Sequence, residues 1–338
     1  MNKKLIVGII GAGRIGKVHA TSITNYMPKV EIKAISDVDS KAAEDAAKNF
    51  GIPFAYRDYK KILDDPEIQA VLICSSTDTH SHISIEAAEV GKHIFCEKPI
   101  DHDLDKIKMV LEAVEKAKIK YQVGFNRRFD HNFKAVRSAV QEGKIGDVHI
   151  VKITSRDPEE PPIEYVKVSG GIFLDMTIHD FDMARYLTGS EVKEVYAAGN
   201  CLVNQKIAEA GDVDTTIVTL KFENGAMAVI DNSRRAEYGY DQRAEVFGSK
   251  GSVAVSNDTA SSAVISTQEG IISEKPLYFF LERYMNSFVD EMSQFVESIL
   301  NDSQIAVSGD DGLKAVLIGL AAKKSLSVGR PVKVSEIG

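Results

Sequence analysis

Gly11, Gly13 and Gly16, spaced G-x-G-x-x-G, join a continuous apolar run at residues 5–10 to a helical pattern from 15 to about 23. An apolar run without alternation is what a parallel strand covered on both faces requires. The first glycine makes the tight turn, the second lets backbone approach a pyrophosphate, and the third allows close packing of helix on strand. The anion then rests on the helix N-terminus. The next strand-like stretch, 31–36, ends at Asp37, placed to accept hydrogen bonds from ribose hydroxyls and to repel a 2′-phosphate. Val38 follows and no arginine adjoins, which favours NAD over NADP.

Helix and strand patterns alternate onward: helices at 42–50, 58–64, 81–90 and 104–117, strands at 70–74, 93–96 and 121–124. The stretch SSTDTHSH reads as a strand-end loop carrying His80 and His82. As a metal pair these would need further ligands that the neighbourhood does not offer, so no metal site is assigned. Residues 1–124 are therefore predicted to form an α/β Rossmann dinucleotide-binding domain whose parallel strand ends converge on a ligand crevice.

Beyond residue 124 the pattern changes. A helix at 129–142 precedes strand-like runs at 148–155, 192–203, 215–223, 227–232, 242–248, 252–256 and 263–267, with hairpin turns at Asn224-Gly225 and 249–251. Consecutive strands predict an α+β domain, residues 125–338, built on a mostly antiparallel open β-sheet with helices on one face. Residues 284–300 and 311–326 read as C-terminal helices.

A chain of 338 residues is long enough for two such cores. Its net charge of −8, with no basic run longer than two residues, argues against a nucleic-acid partner. Cys74, Cys96 and Cys201 make neither a disulfide framework nor a metal spacing, which points to a reducing cytoplasm. The start, MNKKLIVGIIGAGRIG, imitates a secretory signal, but its apolar run is short and broken by glycines, so a buried first strand fits better. No stretch approaches a membrane span.

Two segments carry the chemistry. In Glu97-Lys98-Pro99 the proline holds the preceding residue extended, and Lys98 projects from a strand end. A lysine exposed at a turn is the plain alternative. The run GGIFLDMTIHDFDMARYL, 170–187, reads as one helix entered through two glycines, with Asp175, His179, Asp182 and Tyr186 on one stripe. Apolar residues flank that stripe on both sides: Ile172, Met176, Met183 and Leu187 on one, Leu174, Ile178 and Phe181 on the other. A partly desolvated polar seam suits proton transfer. The competing reading is a buried helix whose histidine is held by a carboxylate for structural reasons.

Taken in order, GAGRIG at 11–16, Asp37, GKHIFCEKP at 91–99 and D-x-x-x-H-x-x-D at 175–182 resemble the glucose-fructose oxidoreductase/inositol dehydrogenase (Gfo/Idh/MocA) family of NAD(P)-dependent sugar and polyol dehydrogenases. The wording GFNRRFD, SGGIFLDMTIHDFDMAR and EYGYD looks most like its inositol 2-dehydrogenase branch. Two positions depart from the family's usual pattern: Asp78 stands where many members have proline, and Thr177 where glycine is common.

The resemblance implies reversible oxidation of a secondary hydroxyl of a cyclic polyol, with hydride passing to NAD. In that reading His179 is the general base, an imidazole's ordinary pKa of ~6.5 suiting the task. Lys98 donates a hydrogen bond to the reacting oxygen, and Asp175 binds a neighbouring hydroxyl and restrains the imidazole. The cofactor-binding set is Gly11, Ala12, Gly13, Arg14, Ile15, Gly16, Asp37 and Val38, with Ser75, Thr77, His80, Glu97 and Lys98 at the strand ends. Arg127, Asp157 and Tyr240 are further candidates for polyol contact beside Lys98, Asp175 and His179, with surface or turn roles as their alternative. Asp182 reads as a packing or supporting residue, and Cys96 as a small buried apolar one. The resemblance also implies sheets paired between subunits, giving a homo-oligomer, dimer or tetramer. Alternatives are an aldose or sugar dehydrogenase, an enzyme reducing another class of carbonyl, and an NAD-bound sensor without turnover, which need not keep Lys98, Asp175 and His179 together.

Overall fold

The computed structural model describes residues 4–338. Met1, Asn2 and Lys3, which open the signal-like stretch, lie outside the described residues. Among the described residues no helix is long and apolar enough to cross a membrane.

The chain divides into two units, the first made of Met1–Phe129 and Met285–Val316, the second of Asp130–Tyr284 and Leu317–Gly338. The first unit runs β1 (Leu5–Ile10), α1 (Arg14–Tyr26), β2 (Val30–Ser36), α2 (Ser40–Phe50), β3 (Phe54–Tyr56), α3 (Lys60–Leu63), β4 (Ala70–Ile73), α4 (Thr77–Glu89), β5 (His93–Glu97), α5 (Leu104–Ala117) and β6 (Tyr121–Gly124), then a 3-10 turn, Asn126–Phe129. Its six strands pair in the order β3-β2-β1-β4-β5-β6, all parallel. This is the doubly wound order, with its reversal between β1 and β4. Local chemistry starts and stops the helices. Asp39 and Asp103 accept hydrogen bonds from the first N–H groups of α2 and α5, and Gly51 closes α2 at φ +66°.

Three expectations for this unit change, and one strand is added to it. The strand β3 is too short, at three residues, to show a pattern. The SSTDTHSH stretch is no loop: α4 begins at Thr77, with Ser76 at its N-cap and Asp78 in its first turn, where an acid complements the helix dipole. The first unit extends to Phe129, five residues past the expected boundary at 124. The chain also returns to it through a helix at Met285–Leu300, whose Met292, Phe295 and Val296 bury themselves among Ile9, Ala20, Ile23 and Phe95. Amphipathicity announces a helix but not which sheet takes its apolar face.

In the second unit α6 (His131–Gln141), capped by Asp130, leads to β7 (Val148–Arg156), α7 (Ile163–Val166), α8 (Ile172–Asp175), α9 (Ile178–Thr188) and β8 (Val192–Asn200). There follow α10 (Gln205–Glu209), β9 (Thr215–Phe222), β10 (Met227–Ser233), β11 (Asp241–Gly248), β12 (Gly251–Val255), a hairpin of β13 (Val264–Thr267) and β14 (Gly270–Ser273), and α11 (Phe280–Arg283). The helix at Met285–Leu300 is then α12; α13 (Gly309–Val328) begins in the first unit and ends in the second, before β15 (Val332–Lys333).

A seven-stranded sheet runs β12-β11-β7-β10-β9-β8-β15. Its neighbours are antiparallel except β7 and β10, which are parallel. Burial alternates along β9, β10 and β11, so one face is covered and the other open. Helix α9 packs on β7 on the covered side, and α6 on α9.

The expected single helix through 170–187 is two helices. Thr177 N donates to Ile172 O five residues back, and the next turn tightens, with Asp180 N donating to Thr177 O. A break of this kind interrupts the single helical phase on which the expected stripe of Asp175, His179, Asp182 and Tyr186 was built. The flanking residues Ile172, Leu174, Met176, Ile178, Phe181, Met183 and Leu187 are all buried, as expected.

If α12 completes the first core, Phe295→Ala costs about 3–5 kcal/mol, and hydrogen exchange quickens in β1 and α1. Loss of protection confined to the seven-stranded sheet would contradict the division drawn here.

Candidate active site

The glycine loop shows three separate reasons for glycine. Gly11 stands at φ +108°, and a Cβ there would lie 2.5 Å from the Cys74 carbonyl at the end of β4. A Cβ on Gly16 would meet the Gly11 carbonyl oxygen at 2.0 Å. Gly13 is exposed, and nothing lies within 4 Å of where its Cβ would be. Packing does not ask for glycine there; close approach of a bound anion does. Gly13, at the N-cap of α1, has no side chain with which to cap the helix, and Arg14 beside it is exposed and Ile15 half-buried.

Asp37, at the end of β2, accepts from Ala12 N at 2.8 Å and from Asp39 N at 2.9 Å. One carboxylate thereby holds the glycine loop and keeps lone pairs for a diol. Val38 beside it is 84 % exposed, leaving no cation to receive a 2′-phosphate at that position. An open anion cradle with an adjoining carboxylate fits a dinucleotide.

The strand ends beyond are pinned from below. The Ser75 and Thr79 hydroxyls stand 2.6 Å apart, and Thr77 is half-buried in the first turn of α4. Buried His19, on α1, meets Glu97 Oε1 through its Nε2 at 2.7 Å. A Cβ on Gly124 would come within 2.8 Å of the same carboxylate. His80 is buried with both ring nitrogens on backbone carbonyls, and Lys98 is half-buried. Glu97 and His80, expected at the cofactor, are thus engaged with protein groups.

In the second unit Gly170 and Gly171, at φ +85° and +83°, turn the chain into α8. There Ile172 N donates to both carboxylate oxygens of Asp212, at 3.1 and 2.9 Å. Asp175, at the end of α8, accepts from the Tyr165 hydroxyl at 2.8 Å and from Arg234 Nη1 at 2.9 Å. Arg234 follows β10 as Asp157 follows β7, and the parallel register of those strands brings the two ends together, Nη1 to Asp157 at 3.8 Å. Burial opposes the charge on Arg234, but Asp175 and Asp157 outweigh it and hold its pKa above the ordinary value. Burial also pushes the Asp212 carboxyl up.

Beneath this cluster Asn232 accepts from the Thr177 hydroxyl and donates to Asp180 Oδ2, both at 2.8 Å, which ties the break between α8 and α9 to β10. His179 is half-buried at the start of α9, and buried Asp182 lies 3.8 Å from Arg185. Of the weaker candidates, Arg127 is buried in the first unit, and the Tyr240 ring is buried against Phe279 and Tyr284. A cavity of about 970 Å³ adjoins through Pro158 and Arg235, but Asp157, Asp175, His179 and Arg234 do not line it. Among the described residues no group of three or more His, Cys, Asp or Glu is arranged to hold a metal.

Residues 5–125 match the oxidoreductase family model with an NAD-binding Rossmann fold, and 133–254 match the GFO/IDH/MocA C-terminal domain. An uncharacterised oxidoreductase of Bacillus subtilis is 52 % identical, covering 99 % of this chain and 98 % of its own. The chain belongs to the GFO/IDH/MocA oxidoreductase family. A myo-inositol 2-dehydrogenase of Thermotoga maritima is 49 % identical, over 98 % of this chain and 99 % of its own. Among solved structures, the scyllo-inositol dehydrogenase of Lactobacillus casei with bound NAD(H) and scyllo-inositol superposes with a TM-score of 0.92 at 31 % identity, covering 98 % of this chain and 100 % of that one.

Both departures from the family pattern have a local role. Asp78 is exposed in the first turn of α4, and Thr177 anchors the helix break through Asn232. Two polar residues of the second unit escaped the sequence reading, Arg234 and Tyr165. The signal for Arg234 was an arginine pair directly after a strand, Arg234-Arg235, which only the parallel pairing of β7 and β10 sets beside a carboxylate.

Gly13→Ala should leave thermal stability within about 0.5 kcal/mol of the parent yet weaken NAD binding in calorimetry. Gly16→Ala should destabilise the fold itself. Unchanged NAD affinity in Gly13→Ala would remove the anion cradle from this loop.

Proposed function

We propose that the protein oxidises a secondary hydroxyl of an inositol to a ketone, with NAD as acceptor. What carries this reading is full-length similarity to a myo-inositol 2-dehydrogenase in a chain that has Lys98, Asp175 and His179 and holds Asp175 within a cluster of polar groups. NAD, which the glycine loop at 11–16 and Asp37 would hold, would supply the hydride acceptor. Hydride loss from a neutral alcohol would leave a cationic carbon, so the hydroxyl proton has to leave with it. His179 takes that proton, and Lys98 donates a hydrogen bond to the oxygen as it gains alkoxide character.

Asp175 is unsuited to the base role. An ionised carboxylate against a buried guanidinium is a poor proton acceptor, because protonation would leave Arg234 less well paired. It is suited to receive a neighbouring hydroxyl on its remaining lone pairs, with Asp157 and Tyr165 as further polar partners. Ring hydroxyls of a cyclic polyol present the donors such a set can hold.

The chain is further proposed to act in the cytoplasm as a homo-oligomer, dimer or tetramer, through the open face of the seven-stranded sheet. Tyr196, Ile217, Met227 and Phe247 are exposed on that face. An apolar sheet face of this kind is stabilised by a second copy.

A panel of inositols and aldoses followed by NADH absorbance tests the substrate: an inositol should give the highest kcat/KM, and turnover of acyclic or apolar alcohols alone would refute the assignment. His179→Ala should lower kcat by about 10² to 10⁴ and abolish the rising limb of the pH profile, with NAD affinity unchanged. Losses in Lys98→Ala and His179→Ala should combine less than additively, because both serve one transition state. Sedimentation of Met227→Asp combined with Phe247→Asp should show dissociation; an unchanged assembly would place the interface elsewhere.

A further inference from the structure

His80 sits in α4 with only 2 % of its surface exposed. Its Nδ1 lies 2.8 Å from the carbonyl oxygen of Pro99, and its Nε2 lies 3.0 Å from that of Ser75. Carbonyl oxygens only accept. A neutral imidazole has one N–H, so in either tautomer one of these contacts would set a lone pair against an oxygen in a dry site. Turning the ring over replaces both nitrogens by carbon and loses both bonds. Only the imidazolium donates at both ends.

The two carbonyls are not arbitrary. Ser75 lies just past β4 and Pro99 just past β5, neighbours in the sheet, and Lys98 immediately precedes Pro99. We propose that His80 is a buried imidazolium that staples the ends of β4 and β5, and is the positioning residue for Lys98. Both ring nitrogens are spent on the backbone, so its contribution to the cofactor site is the placing of other groups. Its effect on turnover rests on the role given to Lys98 above; its protonation state does not.

The groups on the elements packed around the ring agree with a retained charge. β5 contributes the Cys96 sulfur, β4 the Cys74 thiol and β6 the Tyr121 phenol, the last two held neutral by burial. Asp101, after β5, accepts from Ser81 at 2.6 Å and faces Lys106 of α5, while Asp78 is exposed on α4 itself. Burial pulls the His80 pKa down, Cys96 and the two carbonyls pull it up, and the balance stands at about 9.

Three measurements on the whole protein test the proposal. With ¹⁵N-labelled histidine at about pH 8, where a free imidazole is largely neutral, His80 should show both ring nitrogens protonated, assigned by their absence in His80→Gln. A neutral ring overturns the proposal. Because the folded pKa is raised, the stabilisation is complete below about 6.5 and lost as pH rises through about 9. The melting-temperature gap between wild type and His80→Gln should close over that window, and a pH-independent gap overturns the charge.

Glutamine has one amide nitrogen with two donors, so His80→Gln should keep kcat within about threefold, whereas His80→Leu should lose about 10² in kcat with KM for NAD unchanged. A raised KM for NAD with normal kcat would make His80 a cofactor ligand and refute the staple. Should His80→Leu fail to fold, the ring protonation and the glutamine variant still decide. Unchanged kcat in Lys98→Ala would fault the role of Lys98 while leaving the protonation result standing.

Discussion

The candidate site of the second unit is arranged around a buried cation. Arg234 is 3 % exposed, and a guanidinium at that depth persists only if carboxylates surround it. Asp175 and Asp157 supply them, each from a different place in the chain. The requirement reaches outward. Asp157 is in position because β7 and β10 run parallel, an exception in an otherwise antiparallel sheet, so that both strands end at the same edge. Asp175 is in position because α8 stops after one turn, and the stop is held by Thr177 on Asn232 in β10, the strand that also delivers Arg234. Lengthening α8 into α9 would take Asp175 away from its cation.

This pairing also divides the labour between two residues that look equivalent in the sequence. Asp175 and His179 are both proton carriers by type. Asp175 is tied by Tyr165 on one oxygen and by Arg234 on the other, which suits it to the accepting role proposed for it. In the proposed reaction basicity is left to His179, half-buried at the start of α9. Environment, more than residue type, assigns the roles, as it does wherever two titratable groups share one neighbourhood.

What was legible in the sequence follows from how local each cause is. The glycine spacing encodes contacts within one βαβ unit, and Gly11, Gly16 and Asp37 stand where the pattern says, down to the carboxylate on Ala12 N. The alternation of apolar residues in β9, β10 and β11 is a property of each strand alone. The misses are nonlocal. That α12 completes the first core depends on Phe295 meeting Phe95, 200 residues earlier in sequence, at 5.8 Å between ring centroids. The break after Asp175 depends on Asn232 in a distant strand, so 3.6-residue periodicity ran through it as though 170–187 were one helix. Arg234 drew no attention because its partners come from a parallel neighbour that no hairpin rule predicts.

The Glu-Lys-Pro segment shows what the first unit adds to a bare nucleotide fold. Its outer residues are each held by a histidine from a different helix: Glu97 by His19 of α1, Pro99 by His80 of α4. The His19 ring is buried edge-on against Phe95 and Phe288, and Gly124 leaves room for the Glu97 carboxylate where any side chain would collide with it. With both flanks tied to the helices that follow β1 and β4, the backbone of Lys98 has little freedom to tilt. A lysine side chain loses much rotamer entropy when it is ordered, so in the role proposed for Lys98 a flexible backbone beneath it would add to that cost. Because α1 carries the His19 anchor and begins at the glycine loop, one helix links the loop expected to hold the pyrophosphate to the segment that bears Lys98.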